Sequence, residues 1–85
     1  MNVISKEARI GKNVKFGSFV TVEAGVSIGD DSVIESYSYL GYSNGREQGE
    51  LTIGKRAHIR SHTVIYQGST IGDELVTGHH AIIRE

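Results

Sequence analysis

The chain has 85 residues, nine basic and ten acidic side chains, a formal charge of −1, and neither cysteine nor proline. One small domain over residues 1–85 is expected, with no disulfide framework and no thiolate metal site. The balanced charge excludes a general basic field for nucleic acid or anionic lipid.

No apolar run approaches the roughly 20 residues of a membrane span, and the opening MNVISKEARI lacks the apolar stretch of a signal peptide. A cytoplasmic protein is the expectation. Val, Ile and Thr together number 23 against three Leu, which favours strand over helix. The 11 glycines are scattered along the chain, not gathered into a linker.

Periodicity supplies the organisation. From Ile4 an apolar residue returns every six positions, at Ile10, Phe16, Val22, Ile28, Ile34 and Leu40. The series resumes at Ile53, Ile59, Ile65 and Ile71, passes Thr77 and ends at Ile83. Glycine follows the opening residue at Gly11, Gly17, Gly29, Gly41, Gly54, Gly72 and Gly78. Four places after most openers stands a small or branched side chain, from Ala8, Val14 and Val20 through to Ala81, with Leu75 the bulky exception.

A helix repeats at 3.6 and a strand at 2, so a fixed period of six demands one short strand and one tight corner per unit. Three such units close one triangular coil. The opener and the small residue four later point inward, and glycine beside the opener suits a positive φ or a close approach of backbones. The absence of proline agrees with coils whose N–H groups pair with the next coil. Coils are expected at 4–21, 22–39, about 40–58 and 59–76, with a part coil over 77–85. The polar, glycine-rich stretch GYSNGREQGEL predicts a loop over 41–50 that leaves the triangular core.

This pattern of an aliphatic residue, glycine or a polar residue, two free positions, a small residue and a free one resembles the hexapeptide-repeat family across essentially the whole chain. The resemblance implies an all-β fold, a left-handed parallel β-helix of about four and a half coils. The left hand comes from the family, since crossovers between parallel strands are otherwise almost always right-handed. It also implies a homotrimer, and a loop at 41–50 that either leans on a neighbouring subunit or is a plain surface excursion. The chain stops at AIIRE with no polar cap. It is therefore expected to be the N-terminal part of a longer enzyme or a minimal form capped by assembly, without the later coils that carry most of the acyl-coenzyme A groove.

The closing segment TGHHAIIRE resembles the TGH-x-x-x-IRE segment of sugar acyltransferases in that family. These move an acetyl group from acetyl-CoA to a hydroxyl or amine of a sugar or nucleotide sugar. The resemblance makes His79 the general base, in a groove between subunits. An imidazole titrating near 6.5 can take the acceptor's proton at physiological pH. His80 and Arg84 are candidate substrate contacts, and Arg84 can hold a phosphate or pair with Glu85. Tyr42, grouped with Tyr37, Tyr39 and Tyr66, is a candidate for sugar stacking or for a subunit interface.

His62 and His80 lie three hexads apart at the same hexad position, so their rings are expected to stack. The γ-class carbonic anhydrases share the fold and bind zinc through three histidines, but His58-x3-His62 and the adjacent His79-His80 depart from their H-x4-H spacing. No metal is expected. A rival reading is a β-helix that has kept the fold as a non-catalytic scaffold or oligomerisation module.

Overall fold

The computed structural model describes residues 1–43, 45 and 49–84. Among these the regular elements are all short strands. In chain order they are β1 (Val3–Ile4), β2 (Arg9–Ile10), β3 (Lys15–Phe16), β4 (Thr21–Val22), β5 (Val26–Ile28) and β6 (Val33–Ile34), then β7 (Tyr39–Tyr42), β8 (Leu51–Ile53), β9 (His58–Ile59), β10 (Val64–Tyr66), β11 (Thr70–Ile71) and β12 (Ile82–Ile83).

They pair in parallel, coil on coil, into three sheets. The first face is β1-β4-β7-β10-β12, the second β2-β5-β8-β11 and the third β3-β6-β9, which a bridge from His58 to Val76 extends. The chain is a left-handed parallel β-helix.

Partners are three hexads apart in the lower coils, as in Val3 with Thr21 and Arg9 with Ser27. Between the second and third coils the spacing becomes 25, as in Val26 with Leu51, Val33 with His58 and Tyr39 with Val64. Seven extra residues therefore enter at a single corner. The expected boundaries move accordingly, because the third coil runs over 40–64 and the fourth over 65–82. Gly41 and Tyr42 complete β7. Of the predicted loop at 41–50, positions 44 and 46–48 lie outside the described residues.

The inward columns form the core. Val20, Val22, Val26, Ile28, Ile34, Leu40, Leu51, Ile53, Ala57, Ile59 and Ile65 are buried. Leu51 takes the small-residue place after Leu40, displaced by the insertion, so it packs beside Val26 in register. Buried polar groups in the same columns are partnered. Ser32 Oγ donates to the Gly29 carbonyl at 3.0 Å and accepts from the Ala57 N–H at 3.1 Å. Thr77, the polar opener, accepts from the Arg60 N–H at 2.9 Å and meets Thr63 Oγ1 at 3.2 Å. These bonds offset the cost of burying hydroxyls.

A positive φ falls three places after the opener, at Asn13, Phe19, Asp31, Tyr37, Arg56, His62, Glu74 and His80, with Gly25 and Gly68 in equivalent places. Of the glycines beside openers, Gly41 has a positive φ of 94°, while Gly11, Gly17, Gly29 and Gly54 serve close approach. A Cβ on Gly29 would stand 2.5 Å from the carbonyl carbon of Gly54 and 2.6 Å from its oxygen, in the next coil. Backbone cannot yield there.

Candidate active site

The third face gathers the reactive side chains. Two places beyond each opener, at the corner leaving this face, stands a column of Ser18, Ser36, Ser61 and His79, one member per coil. Ser36 Oγ accepts from the Ser18 N–H at 2.9 Å. At the top of the column Ser61 Oγ lies 2.7 Å from His79 Nδ1. The His79 ring is otherwise exposed, and its Nε2 is the nitrogen left for an incoming group.

Beside this column Glu35 occupies the place where glycine usually follows the opener, here Ile34. Its carboxylate meets His58 Nε2 at 2.7 Å, with the two side chains 33% and 40% exposed. An ionised carboxylate only accepts, so Nε2 carries the proton and, in neutral His58, Nδ1 is left as an acceptor. The hydrogen bond from His58 holds the Glu35 carboxyl below the usual carboxylate range, against the opposing effect of partial burial. The charges of His58 and His79 and the Ser61 backbone N–H add to the lowering. A shallow hollow of about 360 Å³ opens next to these groups, lined by Lys15, Phe16, Val33, Glu35, Ser36 and Ser61.

The other residues singled out from the sequence fall elsewhere. His80 lies on the corner between the third and first faces, where Phe19, Tyr37, His62 and His80 form a continuous ladder. Adjacent ring centroids are 5.3, 5.0 and 4.6 Å apart, with planes within 20° of parallel. The stacking expected of His62 and His80 is present. Tyr37 belongs to this ladder, apart from the other tyrosines with which the sequence grouped it.

Tyr39, Tyr42 and Tyr66 meet edge to face on the first face, at 5.5 and 5.0 Å. Arg84 lies over the Tyr66 ring at 4.9 Å, so Tyr42 and Arg84 are gathered around one tyrosine. Glu23 accepts the Tyr39 hydroxyl, and this bond, with burial, pushes the phenol up to about 12. Glu85, the suggested partner of Arg84, lies outside the described residues. His58 and His62 separate, one to the third face and one to the ladder. Among the described residues no three His, Cys, Asp or Glu side chains converge on a metal position.

Glu35 and Ser61 escaped the sequence reading, which weighed His58 only among the histidines of a zinc set. Ser61 and His79 are three hexads apart, so that pairing was open to discovery from the coil length. Glu35 and His58 are 23 apart, and only the longer register after Leu40 brings them together.

Residues 7–42 match the family described as Bacterial transferase hexapeptide (six repeats). Over these residues the chain carries the hexapeptide repeat of that family. Its similarity to a curated relative runs further along the chain. It is 33% identical over 93 aligned positions to the acyl-[acyl-carrier-protein]--UDP-N-acetylglucosamine O-acyltransferase of Chlamydia caviae, covering 95% of this chain and 31% of that protein. The chain thus spans about a third of that relative's length. No solved structure matches it significantly.

Proposed function

We propose that this hexapeptide-repeat chain serves acyl transfer from a thioester to a hydroxyl or amino group of a sugar or nucleotide sugar, with His79 as general base. The carrying observation is the 2.7 Å contact of Ser61 Oγ with His79 Nδ1, which anchors one ring nitrogen and leaves Nε2 open. The donor is acetyl-CoA or, following the relative's name, an acyl group on a carrier protein. Nε2 takes the acceptor's proton as its oxygen or nitrogen attacks the thioester carbonyl. The tetrahedral oxyanion then collapses, the C–S bond breaks, and the thiolate leaves and is protonated. No metal enters this scheme.

The working form in this reading is a cytoplasmic homotrimer, supported by exposed apolar side chains on the outer faces, Val3, Val76 and Ile82, each more than 60% exposed. His80, Tyr42 and Arg84 remain the substrate contacts. Tyr42 and Arg84 lie on a different face from His79, so they serve the acceptor from a neighbouring copy's wall.

The test is thiol release from acetyl-CoA or an acyl carrier protein thioester, with UDP-N-acetylglucosamine as acceptor, by the purified chain and its His79→Ala variant. Loss of about 10²–10⁴-fold in kcat, with the coil intact by circular dichroism, supports the reading. Undiminished turnover in the variant, or none from the folded chain with either donor, overturns it.

A further inference from the structure

The hollow of about 360 Å³ on the third face is framed by groups of four kinds. Phe16, Val33 and Ile34 give it an apolar floor, Glu35 a carboxylate, Ser36 a hydroxyl and Lys15 a cation. Ser61, in the coil above, lines it too, and its Oγ lies 2.7 Å from His79 Nδ1. The hollow therefore adjoins the base.

Glu35 is anchored on one side, where His58 Nε2 holds its carboxylate at 2.7 Å. A carboxylate has about four acceptor sites, so it keeps room for a ligand. Ser36 Oγ accepts from the Ser18 N–H at 2.9 Å, which leaves its own proton to donate. An acceptor and a donor on consecutive residues match adjoining hydroxyls of a sugar ring, each of which both gives and takes a hydrogen bond. The C–H face of the ring suits the apolar floor.

Lys15 stands at the other end. It is in register with Val33 of the coil above, so one coil and two residues separate it from Glu35, about 8 Å across the sheet. Among the described residues it makes no ion pair. Asp31, which borders a second hollow with Lys15, is engaged by Asn13 Nδ2 at 3.3 Å.

We propose that this hollow is an acceptor subsite that selects a phosphate-bearing sugar, with Glu35 and Ser36 on ring hydroxyls and Lys15 on the phosphate. This rests on the acyl-transfer reading, which puts the acceptor's reacting group at His79 Nε2. That reading leaves a free sugar and a nucleotide sugar open, and Lys15 decides for the second. The distance between Lys15 and Glu35 keeps the phosphate clear of the carboxylate.

The experiment titrates the whole ¹⁵N-labelled chain with N-acetylglucosamine, its 1-phosphate and inorganic phosphate. The 1-phosphate should bind at least about 10-fold tighter than the free sugar, moving the amide signals of Gly17, Val33 and Ser36. Lys15→Gln should bring the phosphorylated sugar down to the affinity of the free one. Glu35→Gln, which keeps the shape, should weaken both sugars by about 10-fold. Equal affinities in the native chain, a preference that survives Lys15→Gln, or inorganic phosphate binding as tightly as the 1-phosphate overturns the proposal. So do signals that move on the first face instead. His79→Ala should bind the 1-phosphate as the native chain does. Failure of the transfer reading is seen separately, as a His79→Ala variant that releases thiol at the native rate.

Discussion

The rings of His62 and His80 stack with centroids 4.6 Å apart and planes 20° from parallel. One full coil of chain separates them, and both backbones sit at positive φ, 61° and 59°. The repeated backbone conformation sends each corner side chain out along the same direction. Successive rings at this corner then have little choice but to lie on one another.

Tyr37 stands inside this ladder, stacked on Phe19 below and His62 above. Two stacked contacts at about 0.5–1.5 kcal/mol each, reduced by exposure, make Tyr37→Ala destabilising by about 1–2 kcal/mol. A urea midpoint that does not move would show that the rings merely follow the coil and add nothing to it.

Gly29 and Gly72 occupy the same column, yet substitution separates them. Alanine at Gly29 drives its Cβ into the backbone of Gly54, and about 1–3 kcal/mol of stability is lost. Alanine at Gly72 meets nothing within 4 Å and changes stability by less than about 0.5 kcal/mol. Thermal melts of the two variants give the comparison, and equal shifts would contradict the coil-to-coil packing described.

Acid should act through Glu35. Its folded carboxyl titrates below the ordinary value of 4.5, because His58 binds the ionised form. The stabilisation is present above 4.5 and is lost as pH falls through the depressed folded value. The difference in melting temperature between the native chain and Glu35→Gln should hold from pH 6 to about 5 and then close. A difference that stays unchanged as the pH falls from about 5 to about 3 would remove the His58–Glu35 bond as its cause.

Alkali should act through Tyr39, whose phenol is raised to about 12 by its bond to Glu23. A raised folded value means stability that is present below pH 10 and lost as pH rises towards 12. In an absorbance titration, Tyr39→Phe should delete the highest step of the phenolate curve. Deletion of an earlier step would place the ordered phenol elsewhere among the tyrosines.

The candidate site was partly legible. His79 stood out through TGHHAIIRE, and a coil of three hexads implied that Ser61 lies beneath it. Glu35 and His58 gave no such signal. Their contact crosses the corner where seven residues are inserted, and a hexad count taken through that stretch assigns His58 to the wrong face of the coil.

The hexad pattern alone determined the strands, the inward columns and the ladder partners His62 and His80. These follow from local burial, since an apolar residue every sixth place can be hidden only if three such units close a coil. Tertiary structure decided the rest. The coil boundaries after Leu40 and the meeting of Glu35 with His58 depend on how the third coil registers on the second. That register is selected by strand pairing across the stack, a non-local sum of hydrogen bonds and buried contacts that no single hexad encodes.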